Sequence, residues 1–326
     1  MKNIFITGGA GYVGCCLSDY LMEKGYNVTV YDLFLYGEDV FNYKKNLKLI
    51  KGDIRDSALL KKSIKGQDIV IHLACISNDP SFELNPDLGK SINLDSFEPL
   101  VKISKELKVQ RFIYASSSSV YGIKDIKNVH EEISLEPITD YSKFKAQCEK
   151  ILNSYNDANF SGVTIRPATV CGYSKRQRLD VIVNILTNVG FHKKEISVFG
   201  GDQLRPNIHI KDMVRAYEKL IEADNKLVSG QIFNAGWENK SVNEIAETVK
   251  NELGKDVNLV VTPTNDNRSY HISSEKIKRI LNFQTKFTIS DAVKDLRKAF
   301  ELKLLNDPLN NPDYFNIKKM QLVNLK

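Results

Sequence analysis

The stretch Thr7-Gly8-Gly9-Ala10-Gly11-Tyr12-Val13-Gly14 puts four glycines between a short apolar run, NIFIT (3–7), and a segment with helical spacing, VGCCLSDYLMEKG (13–25). Few features narrow the possible folds more. A glycine turn here brings backbone close to a bound pyrophosphate, and the helix that follows offers unpaired N–H groups at the positive end of its dipole. Gly8, Gly11, Tyr12, Val13 and Gly14 are therefore expected to cradle a dinucleotide. Asp32 closes the next strand-like run, NVTVYD (27–32), eighteen positions after Gly14. A carboxylate there accepts hydrogen bonds from an adenosine ribose diol and repels a 2′-phosphate, which favours NAD over NADP.

The same rhythm continues. Strand-like LKLIKGD (47–53), DIVIHLA (68–74), RFIYASS (111–117) and GVTIRPA (162–168) are interleaved with helix-like SFEPLVKISKEL (96–107) and YSKFKAQCEKILNSY (141–155). This predicts an α/β chain built on a doubly wound, Rossmann-type parallel sheet covered on both faces. Beyond about residue 167 the texture changes to short elements and loops, before a helix (209–223) and a strand (230–236) return. The expected division is an NAD-binding domain, 1–166 with the return segment 207–236, and a smaller α/β substrate domain, 167–206 and 237–326. The Pro/Asn-rich tail NDPLNNPDYFNIKK is expected on the surface.

Composition removes several function classes. The 326 residues are 42% hydrophobic, enough for a sizeable core, and the net charge of +6 comes from interspersed lysines and acids. No basic stripe marks a nucleic-acid partner. Five cysteines without a CxxC pair read as reduced, intracellular thiols. No apolar run approaches the roughly 18 residues of a membrane span, and the start MKNIFITGG leaves no room for a signal peptide. A cytoplasmic protein is expected. The five histidines show no metal-ligand spacing, so no metal is expected.

Tyr141 and Lys145 stand four apart at the start of a helix-like segment, so their side chains share one face. A tyrosine is a poor base at neutral pH, but a neighbouring ammonium and a nicotinamide cation stabilise its phenolate. These motifs together resemble the extended short-chain dehydrogenase/reductases that act on nucleotide sugars, the NAD-dependent nucleotide-sugar epimerase/dehydratase family. TGGAGYVG is similar to that family's TGxxGxxG, and GDIRD (52–56) to its adenine-contacting GDxxD, which implicates Asp53 and Ile54. HLA (72–74) resembles its cofactor wall, implicating Leu73 and Ala74, and INL (92–94) carries Asn93 where the family has a structural and cofactor asparagine. The resemblance also implies that Pro167 lies against the nicotinamide, and that NAD is the cofactor.

The family's serine or threonine, four residues before the tyrosine of VYG, is matched by Ser117, which implies a catalytic set of Ser117, Tyr141 and Lys145. Ser118 and Ser119 stand where the 4,6-dehydratases of the family carry an Asp and a Glu. A hydroxyl replaces neither acid nor base at neutral pH, so dehydration is not expected, and the two serines are expected to line the sugar pocket. Arg205 and Arg268 match positions that grip the diphosphate and ribose of the sugar nucleotide; Arg178 is a further substrate candidate, and Arg166 reads as structural. Thr169 departs from the asparagine found in many 4-epimerases, leaving sugar and base open. The resemblance implies a homodimer acting as a nucleotide-sugar 4-epimerase. A 4-dehydrogenase or 4-ketoreductase uses the same residues, and an NAD-binding sensor stands as the non-enzymatic alternative.

Overall fold

The computed structural model describes residues 2–41, 45–124, 126, 128–264, 269, 271–323 and 325. Its strands are β1 (Asn3–Thr7), β2 (Asn27–Asp32), β3 (Leu47–Lys51), β4 (Ile69–His72), β5 (Arg111–Ala115), β6 (Ser161–Pro167), β7 (Thr169–Cys171), β8 (Glu195–Phe199), β9 (Leu204–His209), β10 (Ile232–Ala235), β11 (Glu238–Ser241) and β12 (Asn258–Thr262). Seven of them form one parallel sheet in the order β10-β6-β5-β4-β1-β2-β3. The Rossmann-type expectation is met.

Side-chain alternation explains the two layers. Ile4, Ile6, Val28 and Val30 pack into one buried cluster, while Phe5, Tyr31, Val70 and Phe112 pack into another. Both faces are apolar because helices cover both, as parallel sheets require. Each such side chain contributes about 1.5–3 kcal/mol when fully buried. The strand order reverses between β1 and β4, and in open α/β sheets that point opens a crevice at the carboxyl ends of the strands.

The chain after β6 builds two small sheets, β11-β9-β7 and β12-β8. Their core includes Ile196, Val198, Ile245 and Val249. Between β9 and β11 the chain crosses back once to the main sheet, with Phe233 of β10 in register with Ile165 of β6.

The tail keeps to the surface as expected along 306–319, with one buried exception. Its last part forms the helix Asn316–Leu322, and Asn316 is only 5% exposed. Composition misleads only at that residue because asparagine favours turns when its amide is satisfied by its own backbone; this amide finds partners elsewhere in the fold instead.

Candidate functional site

The glycine loop is shaped by packing. Gly8 has φ +72°, and a Cβ there would stand 2.5 Å from the Ala74 nitrogen at the end of β4. A Cβ on Gly14 would meet the Gly8 carbonyl oxygen at 2.4 Å. Only glycine lets the helix Tyr12–Glu23 start this close to the sheet. That helix starts at Gly11 with no side-chain cap, so the free N–H groups of its first turn belong to residues that line the crevice. Gly8, Gly11, Tyr12, Val13 and Gly14 all line this first cleft.

Asp32, Asp53, Ile54, Leu73, Ala74 and Pro167 line it as well. Asp32 accepts from Ala10 N at 3.0 Å and from Phe34 N at 2.9 Å, which ties β2 to the loop. Burial pushes its carboxyl up, against the pull of those N–H groups. Acceptor capacity remains on the carboxylate for a ribose hydroxyl. Asp53 is held well down by Arg55, whose guanidinium grips it at 2.6 and 3.0 Å, so its carboxylate is already engaged. Asn93 does not line the cleft. Its amide accepts from Ile76 N at 2.8 Å and donates to Ile76 O at 2.9 Å, so it props the wall from behind.

The helix Asp140–Ser154 is started by Thr139, whose hydroxyl accepts from Ser142 N in a reciprocal capping box. Tyr141, Lys145 and Glu149 then fall on one stripe. Tyr141 and Lys145 line the first cleft. Lys145 Nζ donates to Ala115 O at 2.7 Å and lies 5.7 Å from the Tyr141 ring centre. Burial pushes the Tyr141 phenol upward, while the Arg178 guanidinium and, to a lesser degree, the neighbouring Ser117 hydroxyl oppose this. Behind them, Arg166 grips Glu149 at 2.9 and 2.6 Å and donates to Tyr121 OH at 2.8 Å, all buried. This fastens the helix to β6.

The serines separate. Ser117 Oγ is 2.8 Å from Ser119 Oγ and accepts from Ser119 N at 3.1 Å. Ser119 lines a second cleft, whereas Ser118 is 3% exposed and lines neither. The expectation that both extra serines line the sugar pocket is thus corrected for Ser118. Ser118–Tyr121 is a 3-10 turn, in which neighbours point about 120° apart.

That second cleft lies beside the first and is lined by Thr169, Arg178 and Arg205 together with aliphatics such as Ile182 and Ile185. Arg178 lines both clefts; its Nε donates to Asp180 at 2.6 Å. Arg268 lies outside the described residues. Sequence reasoning missed Arg176, Tyr36 and Asn316 in the first cleft and Asp79 in the second. Arg176 was open to detection, two positions before Arg178; nothing local flagged Asn316. Among the described residues there is no metal-ligand cluster, and no helix is long and apolar enough to cross a membrane.

Comparison with known proteins places this geometry. Residues 4–236 match the family described as NAD dependent epimerase/dehydratase. A Bacillus subtilis UDP-glucose epimerase, itself described as uncharacterized, is 30% identical, over 79% of this chain and 84% of that protein. dTDP-D-glucose 4,6-dehydratase of Dictyostelium discoideum is also 30% identical, over 72% of this chain and 58% of that protein. The crystal structure of UDP-glucose 4-epimerase with UDP-glucose from Thermotoga maritima aligns with a TM-score of 0.84 at 25% identity, covering 93% of this chain and all of that one (100%).

Proposed function

Because the chain belongs to the NAD-dependent epimerase/dehydratase family, we propose that it is a nucleotide-sugar 4-epimerase with NAD in the first cleft and the sugar nucleotide in the second. One observation carries this reading: Tyr141 lines the first cleft and Ser119 the second, and between them Ser117 neighbours the Tyr141 phenol and shares a 2.8 Å hydrogen bond with Ser119. A group that must exchange a proton with a sugar while facing a nicotinamide belongs at such a junction. The uncapped helix start at Gly11 and the carboxylate of Asp32 suit a pyrophosphate and a ribose diol.

NAD supplies the acceptor that takes a hydride from the sugar C4 and returns it. The protein does the rest. Tyr141 Oη takes the proton of the C4 hydroxyl, and Ser117 Oγ holds the same oxygen by a hydrogen bond. Burial opposes the phenolate, as do Cys75 and Asp79, and Arg178 pulls the other way. The Lys145 ammonium, 5.7 Å from the ring centre, and a bound nicotinamide cation are the further positive charges this reading needs to make the base usable. The proton returns from Tyr141 once the 4-keto sugar has turned its other face. Arg205 grips the diphosphate through its fork of N–H donors. The division of the chain near residue 167 into cofactor and substrate parts belongs to this reading.

Dehydration is not part of the proposed chemistry, although a 4,6-dehydratase is among the relatives. Ser118 is buried, and the nearby carboxylates are committed: Asp79 accepts from Thr139 Oγ1 at 2.6 Å, and Asp180 from Arg178. The test is incubation with NAD and a panel of UDP-, GDP-, CDP- and dTDP-hexoses, followed by NMR and mass spectrometry. Inversion at C4 is the expected product. Release of a 4-keto sugar at unchanged carbon framework indicates the dehydrogenase reading, and a product lighter by one water overturns the account of the serines.

A further inference from the structure

The tail folds across the mouth of the first cleft. Asn316 Oδ1 accepts from Arg176 Nη2 at 2.7 Å and from the Tyr36 hydroxyl at 3.3 Å. Its Nδ2 donates to Ser77 Oγ at 2.8 Å, and its backbone N–H donates to Asp180 at 2.8 Å. Tyr36 follows β2, Ser77 follows β4, and Arg176 and Asp180 follow β7, so one asparagine ties together three stretches of the rim. Further along, Met320 and Leu325 line the same cleft as Gly11 and Asp32. Tyr314 O accepts from Leu179 N at 2.8 Å, which fixes the approach of the tail to the segment that carries Arg178.

Arg176 lies under the same wall. Its guanidinium stacks on Tyr36 with Cζ 3.7 Å from the ring centre, and the residue is 5% exposed and lines the cleft. It acts electrostatically on Asp32, helping to hold that carboxylate ionised. Yet its Nε is buried with no hydrogen-bond partner among the described residues. A buried N–H left without an acceptor is costly, so this donor points to an acceptor that a ligand brings.

We infer that residues 311–323, together with Leu325, form the outer wall of the cofactor site. Asn316 holds Arg176 over the adenosine end, where Arg176 Nε donates to an oxygen of the adenosine ribose, the group Asp32 addresses from the opposite side. This rests on the reading that the first cleft holds NAD. The consequence is retention: the dinucleotide leaves only when the clasp opens. Retention suits a reaction that gives its hydride back in every cycle, and it would throttle one that exchanges reduced cofactor each turnover.

The test is the rate at which NAD leaves the full-length protein. Protein loaded with radiolabelled NAD is diluted into excess unlabelled NAD, and the remaining label is followed. Asn316→Ala removes the side chain's hydrogen bonds, so release should be at least about tenfold faster than in the unmodified protein. Arg176→Met should also speed release, through loss of the donor to the ribose. Unchanged release in Asn316→Ala, with Asp32→Ala still weakening NAD binding, overturns the wall and leaves the cofactor reading standing. Unchanged NAD binding in Asp32→Ala overturns both. If Asn316→Ala does not fold, hydrogen exchange of the unmodified protein decides. Amides of 314–322 slowed by NAD support the wall, and amides indifferent to NAD overturn it.

Discussion

The two clefts are built by different means. The first is made where parallel strands end: a glycine loop, the carboxylate closing β2 and the backbone following β4 form its wall, and much of that wall is main chain. The second is made mostly by elements outside the main sheet that follow β6, which contribute Arg205, Thr169, Ile182 and the Arg178–Asp180 pair, with Asp79 and Ser119 joining them from earlier in the chain. Main-chain geometry repeats wherever the sheet repeats, so it suits a partner that never changes. Side chains outside the main sheet vary without disturbing it, so they suit a partner that distinguishes one enzyme from another. Tyr141 stands where the two constructions meet.

The comparison is tested most severely at that junction. Tyr141→Phe keeps the ring and removes the oxygen that carries the proton, so turnover should fall by about 100–10,000-fold, while NAD binding, measured by calorimetry, stays intact. Turnover near that of the unmodified protein would move the chemistry elsewhere. Lys145→Met should differ by lowering both turnover and NAD affinity, because the ammonium lies in the first cleft and close to the Tyr141 ring.

The next effect belongs to the first cleft alone. Asp32→Ala should weaken NAD by about tenfold to hundredfold, the loss expected for hydrogen bonds to a charged group, and should narrow the preference over NADP. The substrate KM should stay the same in saturating NAD. A variant that binds NAD as before would overturn the placement of the adenosine ribose against the β2 carboxylate in the first cleft.

Arg205→Met is the matching change in the second cleft. It should raise the KM for the sugar nucleotide by about tenfold, through loss of a charged hydrogen-bond fork, and leave the NAD dissociation constant unchanged. If both constants move together, the two clefts are not separate sites.

The smallest effect is on stability, and it falls on the cofactor side. His72 closes β4 just before the cleft wall; it is buried, its Nδ1 lies 2.7 Å from Thr7 Oγ1, and burial drives its pKa down to about 3. The unfolded chain binds this proton near pH 6.5, whereas the native protein does so only near pH 3. Between those values the unfolded state holds more protons. Stability is therefore complete above about pH 6.5 and falls on acidification, by at most about 1.4 kcal/mol per pH unit. Urea unfolding across pH 4–7 should show this slope, and His72→Asn, which keeps an amide near Thr7 but does not titrate, should flatten it.

Much of the fold was legible because its determinants are local. β1 and β2 were read to their observed bounds, Asn3–Thr7 and Asn27–Asp32, since apolar runs between glycines and polar residues mark buried parallel strands. The helix carrying Tyr141 and Lys145 was read to within a residue at each end. Other parts were not legible. The short helices Asp79–Glu83 and Pro86–Lys90 depend on Asn78 and Asn85 as caps, and they bring Asp79 into the second cleft, which no periodicity in so few residues reveals.

By itself, then, the sequence determined the parallel sheet, the glycine loop, the carboxylate that closes β2 and the one-faced pairing of Tyr141 with Lys145. Each follows from chirality and hydrogen-bond periodicity acting over a few residues. Only the tertiary structure decided that Ser119 rather than Ser118 faces the second cleft, that Asn93 stands behind the wall instead of in it, and that the tail reaches back over the first cleft. Arg176 and Asn316 are 140 residues apart in the chain. No local rule joins them, because a buried amide settles wherever the packing of the whole molecule leaves it satisfied partners.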